Sequence, residues 1–266
     1  RGLHDDLGSG EMVEVRTTSC PNCGAKVEIS GATHATECPF CDTPVVLDTG
    51  SGRHIKPQAL VPFVLTEPEA RRAMVAWMGS LWFAPGTLLE YARKGRALNG
   101  VYVPFWTFDA DTSSRYTGER GEYYYETRTV QVRVNGRMET RQEQVRHTRW
   151  YSTSGHVARD FDDVLIMASR SLPERLGDEL TPWDLGALVP YNPEFLAGFQ
   201  AEGYTVSLAD GDDEARDRMS NVILQDVRRD IGGDEQRVHN VDTDWSDQTF
   251  KHILLPIWMA AYKYNG

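Results

Sequence analysis

The four cysteines of this 266-residue chain all fall within one stretch of 22 residues. They form two pairs, Cys20 with Cys23 and Cys38 with Cys41; two residues separate the members of each pair, and fourteen lie between the pairs. A two-residue gap lets both thiolates of a pair bind one metal ion from a tight turn, and the longer gap accommodates a short hairpin. This spacing predicts a zinc ribbon, in which four thiolates hold one Zn²⁺ tetrahedrally at about 2.3 Å.

Two disulfides, or four buried free thiols, are the alternatives to a metal site. A disulfide framework is typical of small secreted proteins, and a chain of 266 residues with no further cysteine does not fit that class. Four protein ligands leave no open position for water or substrate, so we expect the zinc to be structural. Gly24 follows the first pair, where the turn favours a left-handed backbone, and Asp42 occupies the equivalent position after the second pair.

The rest of the sequence contains no recognisable catalytic motif. It lacks the zinc-protease, phosphate-binding-loop and serine-hydrolase signatures, and its seven histidines are scattered. His147 and His156 are candidate ligands of a second metal ion together with three nearby acids, Asp160, Asp162 and Asp163. A solvated acidic turn is the alternative interpretation. The sequence therefore predicts that the chain is not an enzyme.

Residues 115–150 interleave arginines with aromatic residues along a predicted β-hairpin, whose turn is Asn135-Gly136. Pairing about that turn places residue i opposite residue 271 − i. Basic and aromatic side chains on a sheet surface can hold single-stranded nucleic acid. Eight arginines and five glutamates give the segment a net charge of +3, and a solvated hairpin laced with ion pairs is the alternative. The candidate contact residues are Arg128, Arg133, Arg137 and Arg141.

The chain as a whole is acidic, with a formal net charge of −11 and a pI of about 5.1. This charge weighs against non-specific nucleic-acid binding, whose affinity comes largely from neutralising phosphates. The longest apolar run, residues 253–262, is about half the length that a membrane-spanning helix requires. Reduced cysteines around zinc indicate a cytoplasmic location.

The hydrophobic pattern predicts an α+β fold: a small N-terminal zinc ribbon followed by a mostly antiparallel β-sheet domain with a few amphipathic helices. One helix is expected to begin at a capping box formed by Thr66 and Glu69, and another to span residues 212–231. The first helix is expected to pack one apolar face on the sheet, formed by Ala70, Met74, Trp77, Met78 and Leu81. We expect the last domain to be truncated at its C-terminus, because a strand that ends in Asn-Gly normally has a returning partner. In chain order the predicted parts are a flexible leader, the ribbon, a Gly/Ser linker and the α+β domain, at residues 1–16, 17–48, 49–53 and 54–266.

Three apolar segments accompany the cysteine motif: Val61-Pro62-Phe63, residues 102–106 and residues 252–258, the last two each holding Pro then Trp. Together these features resemble a bacterial family of membrane-associated proteins with a TFIIB-type zinc ribbon, some of which are labelled primosomal or helicase-like. The resemblance implies transmembrane helices outside this chain, with this part on the cytoplasmic side of the membrane. It also implies a protein partner, since relatives act beside phage-shock-protein-A-like proteins in envelope stress.

We therefore expect a non-enzymatic, zinc-stabilised interaction domain that recruits a protein partner. Nucleic-acid binding through the hairpin at residues 115–150 is the alternative. An enzyme with its site near the strands of Trp106 and Trp258 is a third hypothesis, for which a deep polar pocket would be the first support. Helicase motifs are absent from the sequence, so the helicase label is not supported by it.

Overall fold

The computed structural model describes residues 12–28, 35–41, 43–46, 50–80, 98–134, 137–173, 180 and 182–260. These residues form mostly β-sheet, with two α-helices, which confirms the α+β class. The strands are β1 (Met12–Ser19), β2 (Lys26–Glu28), β3 (Ala35–Glu37), β4 (Pro44–Val46), β5 (Gly50–Ile55), β6 (Ala59–Leu60), β7 (Asn99–Val134), β8 (Arg137–Met167), β9 (Val189–Pro190), β10 (Gln200–Glu202) and β11 (Glu235–Met259). The helices are α1 (Glu67–Ser80) and α2 (Leu208–Ile231).

The chain divides into two compact units, each made of more than one segment. Unit 1 contains residues 1–108, 163–215 and 250–266, and unit 2 contains residues 109–162 and 216–249. The ribbon lies in unit 1. The boundary between the units falls inside β7, β8, β11 and α2, so these long elements contribute residues to both.

In unit 1 the strands follow the order β5-β1-β2-β10-β7-β11-β6-β9, and β3 and β4 form a separate two-stranded sheet. The pairs β10–β7 and β6–β11 are parallel, whereas β1–β2, β1–β5, β2–β10 and β6–β9 are antiparallel. The central strands are buried on both faces, which explains why their sequences read as nearly continuous apolar runs. One face holds Val101, Val103, Phe105, Ile253, Leu255 and Ile257, and the other holds Leu60, Tyr102, Ala201 and Leu254.

Unit 2 is a sheet of very long strands with α2 packed on one face. A hydrogen bond between the hydroxyls of Ser114 and Thr243 at 2.8 Å, and one from the Thr249 hydroxyl to the Asp109 carboxylate at 2.7 Å, show that β7 and β11 run antiparallel. Strand β7 pairs with β11 along one edge and with β8 along the other. The core between sheet and helix contains Tyr116, Ile223, Val227 and Ile231, with Val157, Phe161, Val238, Val241 and Trp245 packed against it.

The structure corrects the predicted leader and linker. Residues 12–16 of the leader belong to β1 and residues 50–53 of the linker belong to β5, and these two strands pair from Met12↔Ile55 to Thr17↔Gly50. Glycine and serine do not prevent an extended backbone once a neighbouring strand supplies hydrogen-bond partners. The ribbon is also not a separate domain, because β2 pairs with β10 of the main sheet. Residues 1–11, 49 and 261–266 lie outside the described residues.

The helix predictions hold at the capping box and fail at one buried position. The Thr66 amide donates to the Glu69 carboxylate at 2.8 Å, as the predicted capping box requires. In α1, Ala70 and Met78 are buried, but Trp77, which the helical spacing places on the same face, is 62% exposed. The second helix begins at Leu208, one turn earlier than predicted.

Candidate functional site

Each cysteine pair lies on a tight turn that joins two antiparallel strands. The first turn joins β1 to β2, where Ser19 pairs with Lys26, and the second joins β3 to β4. The Cys20 amide donates to the Ala25 carbonyl at 2.8 Å, and the Cys38 amide donates to the Thr43 carbonyl at 2.9 Å. Gly24 has a φ of +76°, which confirms the left-handed position predicted for the first turn. Asp42 lies outside the described residues.

The four sulfur atoms form one compact cluster. Sγ of Cys20 lies 3.5 Å from Sγ of Cys41, Sγ of Cys23 lies 3.6 Å from Sγ of Cys38, and all four lie within 4.8 Å of one another. A tetrahedron with Zn–S bonds of about 2.3 Å has sulfur atoms about 3.8 Å apart. A disulfide requires about 2.05 Å, and all four cysteines are free. The geometry therefore excludes the two-disulfide alternative and forms a candidate metal site.

A bound cation would stabilise the thiolate form of the four cysteines. Burial raises the pKa of the Cys23 thiol to about 11 and raises that of Cys38 as well. Burial acts in the same direction on Cys41, but hydrogen bonds with Thr43 and Asn22 outweigh it and lower the pKa of Cys41 to about 6. Four thiolates this close together repel one another, and a bound divalent ion removes that repulsion. Soft thiolate ligands in a tetrahedral set fit Zn²⁺ best among the common cellular ions.

The segment that carries the cysteines contacts the core of unit 1 through one aromatic side chain. Phe40, in the second cysteine turn, packs against the small cluster around the cysteines and also against the main core cluster that contains Phe105 and Leu255. Strand β2 adds its edge to β10 through Glu28↔Ala201 and Val27↔Glu202. The cysteine site is thus part of the packing of unit 1.

The hairpin of β7 and β8 has the predicted register where side-chain contacts define it. The rings of Tyr124 and His147 stack at 5.4 Å, and these residue numbers sum to 271. The Thr112 hydroxyl donates to the Arg159 carbonyl at 2.8 Å, and these residue numbers also sum to 271. Two diagonal contacts agree with this register: Arg146 lies 4.2 Å from the Tyr123 ring, and Ser113 bonds to His156 at 2.7 Å. The strands end at Val134 and resume at Arg137, although the Asn135-Gly136 turn itself lies outside the described residues.

Side chains of the hairpin alternate between two faces. Tyr116 lies on the face that carries α2, which we call the helix-side face, together with the other buried even-numbered residues of β7, Ala110, Thr112 and Ser114. The odd-numbered residues of β7 lie on the opposite face, which we call the open face. Side chains on both faces are exposed along residues 124–133, where α2 and β11 no longer cover the hairpin, except that Val130 and Val132 are half-buried.

The four predicted arginines do not form one surface. By this alternation and register, Arg128 and Arg141 lie on the helix-side face, whereas Arg133 lies on the open face, and all three are exposed. The Arg137 side chain lies outside the described residues. The helix-side face mixes charges, with Arg128, Arg141 and Arg149 beside Glu122, Glu126, Glu139 and Glu143. The open face carries Arg133 and Arg146 and no carboxylate along residues 123–133 and 138–150.

The other sequence candidates have ordinary structural partners. His147 stacks on Tyr124, and His156 bonds to Ser113, so the two histidines do not converge on the predicted second metal site. Trp106 is fully buried and donates to the Val206 carbonyl at 3.1 Å. Trp258 donates to the Leu65 carbonyl at 3.1 Å. Both indole N–H groups therefore donate to backbone carbonyls.

Sequence reasoning missed two carboxyl groups on the paired strands β2 and β10, one of them half-buried and the other buried. Glu202 is 1% exposed and Glu28 is half-buried, and burial raises the pKa of each to about 7. The hydroxyls of Ser169 and Ser171 donate to Glu202, which opposes the effect of burial on its pKa. No local signal marks these residues, because their burial results from the pairing of β2 with β10.

Comparison with known proteins gives one distant relative. No protein-family model and no solved structure matches the chain. The chain is similar to the uncharacterized protein YdjG of Bacillus subtilis (strain 168), with 25% identity over 226 residues. The match covers 83% of this chain and 61% of YdjG, so the chain spans about three fifths of the relative's length.

Neither helix within the described residues is long and apolar enough to cross a membrane.

Proposed function

We propose that this chain is a non-enzymatic, zinc-stabilised protein-interaction domain. The observation that carries the proposal is the hairpin arm, residues 123–148, which extends past α2 and exposes large side chains. Tyr125 is 62% exposed, Met138 is 61% exposed and Tyr124 is 42% exposed. Tyrosine, methionine and arginine are enriched in protein interfaces, and a two-stranded hairpin is only marginally stable without a partner.

Zinc has a structural role in this proposal. The four sulfur atoms supply a complete tetrahedral set, so the ion has no open position at which to activate water or substrate. Its binding free energy becomes folding free energy, since the site does not exist in the unfolded chain. Through β2 and Phe40, this energy stabilises the sheet of unit 1.

We extend the proposal to the cellular setting that the family resemblance implies. The domain lies on the cytoplasmic side of a membrane-anchored protein and recruits a phage-shock-protein-A-like partner in envelope stress. The support is the match of the cysteine motif and of the two Pro-Trp strands to that family, and the acidic charge of −11, which disfavours nucleic acid as the main partner.

The test is affinity purification of the tagged full-length protein from native cells, with and without nuclease, read by mass spectrometry. The informative variant shortens the arm symmetrically by deleting residues 127–134 and 137–144 together, which keeps the register because paired residues leave together. We expect the wild type to capture a stoichiometric protein that survives nuclease, and the shortened variant to lose it.

Ser220→Ala is the control, because it changes an exposed residue outside the arm and leaves the arm its full length. Metal analysis should give one zinc per chain in all three proteins, which shows that the ribbon is intact. Capture that is equal for the wild type and the shortened variant would contradict the proposal.

Nucleic-acid binding remains the second candidate, and the stacking of Arg146 on Tyr123 favours it. Fluorescence anisotropy with a labelled single-stranded oligonucleotide tests this function. If it holds, affinity falls steeply with salt and falls further in an Arg133→Glu/Arg137→Glu variant. If the oligonucleotide does not bind, or if its affinity changes neither with salt nor in the variant, nucleic-acid binding is excluded.

A further inference from the structure

The open face of unit 2 is charged oppositely at its two ends. We call residues 111–115, 156–160 and 242–244 the proximal end, and residues 125–133 and 138–146 the distal end. The proximal end exposes four aspartates, Asp111, Asp160, Asp242 and Asp244. The distal end has Arg133 and Arg146 with no carboxylate on this face.

Two of the proximal aspartates oppose each other directly. The register of 271 places Asp111 opposite Asp160, and like charges in this position destabilise a sheet. Partial desolvation raises the pKa of Asp111, and the charges of Asp160 and Asp247 raise it further. Arg115 lies 3.5 Å from Asp242 and 3.6 Å from Asp244, so this arginine pairs with aspartates of the neighbouring strand β11. The proximal end is therefore short of positive charge.

The distal end has the composition of a contact surface. Tyr125 and Met138 are each more than half exposed there, beside exposed Arg133 and Arg146. The remaining distal side chains on this face are threonine or glutamine, at positions 127, 129, 131, 140, 142 and 144. Aromatic residues, methionine and arginine are enriched at interface cores, where glutamate and aspartate are depleted.

We propose that a second copy of this chain docks on the open face, antiparallel about a two-fold axis. Each distal end then lies on the proximal end of the other copy, so Arg133 meets Asp111 and Asp160 twice. Arg146 lies opposite Tyr125, eight residues nearer the centre, and so meets the level of Glu119 of the other copy. A two-fold interface must be self-complementary, and a face with opposite charges at its two ends meets that condition. The inference rests on the proposed function in treating the arm as an interaction surface, and it names the partner of one face.

The open face is large enough for this contact. From Asp111 to Arg133 is 22 residues, which at about 3.4 Å per residue spans roughly 75 Å. Two strands about 4.8 Å apart give a width near 10 Å, hence roughly 750 Å² per copy, close to the ~800 Å² of a standard interface. Packed sheets keep their strand directions within about 30°, which an antiparallel pair satisfies.

A second copy is complementary in charge to both ends of the open face, whereas nucleic acid is complementary only to the distal end. A single strand would be attracted by Arg133 and Arg146 but repelled by the four aspartates on the same face. The second copy supplies arginines to the aspartates and aspartates to the arginines. Charge complementarity of this kind fixes the register and orientation of partners.

Sedimentation velocity of the purified, zinc-loaded chain with charge-reversal variants tests the proposal. We expect the wild type to sediment as a dimer of the 30.0 kDa chain. Arg133→Glu and Asp111→Arg/Asp160→Arg should each be monomeric, with Kd raised at least about 100-fold, because like charges then face each other at both ends. A mixture of these two variants should form a heterodimer, and the variant with all three changes should dimerise again.

Arg128→Glu/Arg141→Glu is the matched control, since it reverses two arginines at a similar height on the helix-side face. It should dimerise as the wild type does, and circular dichroism and zinc content should be unchanged in every variant. A wild type that stays monomeric up to about 100 µM, where micromolar affinity would be visible, overturns the proposal. So does a mixture that fails to associate, or a control that dissociates equally.

The inference and the proposed function fail in different ways. A monomeric chain whose full-length protein still captures its partner refutes the second copy and leaves the proposed function standing. A dimer that captures no protein refutes the recruiting function and leaves the dimer. A monomer that binds single-stranded oligonucleotide through Arg133 and Arg146 refutes the second copy in favour of nucleic acid.

Discussion

Glu202 is the residue whose chemistry is least expected in a structural sheet. Its side chain is 1% exposed, its Oε1 accepts from the Ser169 hydroxyl at 2.6 Å, and within the described part of the chain its Oε2 has no hydrogen-bond partner. Burial raises the pKa of this carboxyl to about 7, against the hydrogen bonds of Ser169 and Ser171, which lower it. The protonated form is therefore the better fit to the folded protein.

Glu202→Gln should stabilise the protein at high pH and have little effect at low pH. The folded pKa of about 7 lies above the unfolded value of 4.5, so the wild type loses stability as pH rises from about 4.5 to 7. The side-chain amide of the variant stays neutral, so the variant does not lose this stability as pH rises. The variant's advantage in the free energy of unfolding should grow over that range and level off above pH 7, at up to about 3 kcal/mol.

Urea unfolding of both proteins between pH 5 and 8 measures this difference, and the contribution of the zinc ligands cancels because both proteins share it. Glu194→Gln, at an exposed position, is the control for the loss of a carboxylate. An advantage for Glu202→Gln that is constant with pH would contradict the raised pKa.

Helix α2 shows at the scale of an element how its start is fixed. Ser207 precedes the helix, its Oγ accepts from the Asp210 amide at 3.1 Å, and it donates to the Asp210 carboxylate at 2.7 Å. Ser207→Ala removes this cap and should lower the free energy of unfolding by about 1 kcal/mol. Ser220→Ala, at an exposed position inside the same helix, is the control and should be neutral or slightly stabilising, because alanine is the better helix former. Urea unfolding distinguishes the two, and equal effects would contradict the capping role.

Local signals in the sequence predicted the individual elements. How those elements pair depends on residues that are far apart in the chain. The cysteine turns, the Thr66–Glu69 capping box and the register about Asn135-Gly136 each depend on residues close together in the chain, so their chemistry could be inferred directly. The strand at 50–53 was predicted as a linker because its Gly and Ser residues have no strand preference of their own. It becomes a strand only because β1 lies beside it.

The site was predictable in its ligands and not in its surroundings. Cysteine spacing alone identified the four sulfur atoms that the structure brings together. The burial of Glu202, the anchoring of Phe40 and the separation of Arg128 from Arg133 depend on which strands pair and which face α2 covers. Four arginines in one segment looked like one surface, although alternation in a strand sends neighbours in the pattern to opposite faces.

At the scale of the whole molecule, the two compact units have different sources of stability. Unit 1 contains the cysteine cluster, whose metal would hold β2 against β10. Unit 2 contains no cysteine, and its core of Tyr116, Ile223, Val227 and Ile231 is apolar packing between sheet and helix. Units with separate cores commonly open at different free energies. Metal binding should therefore stabilise the two units to different extents.

Removing zinc should loosen unit 1 much more than unit 2. With a chelator, hydrogen exchange followed by mass spectrometry should speed up by at least about tenfold in β1, β2 and β10, because metal-binding energy is folding energy for the elements around the site. Residues 219–231 of α2 and 112–118 of β7 should keep their protection. Cys38→Ser should reproduce the pattern without chelator and respond no further to it. A uniform rise through both units would mean that the chain unfolds as a single cooperative body, and no change in β2 would mean that the four thiols stabilise the ribbon without a metal.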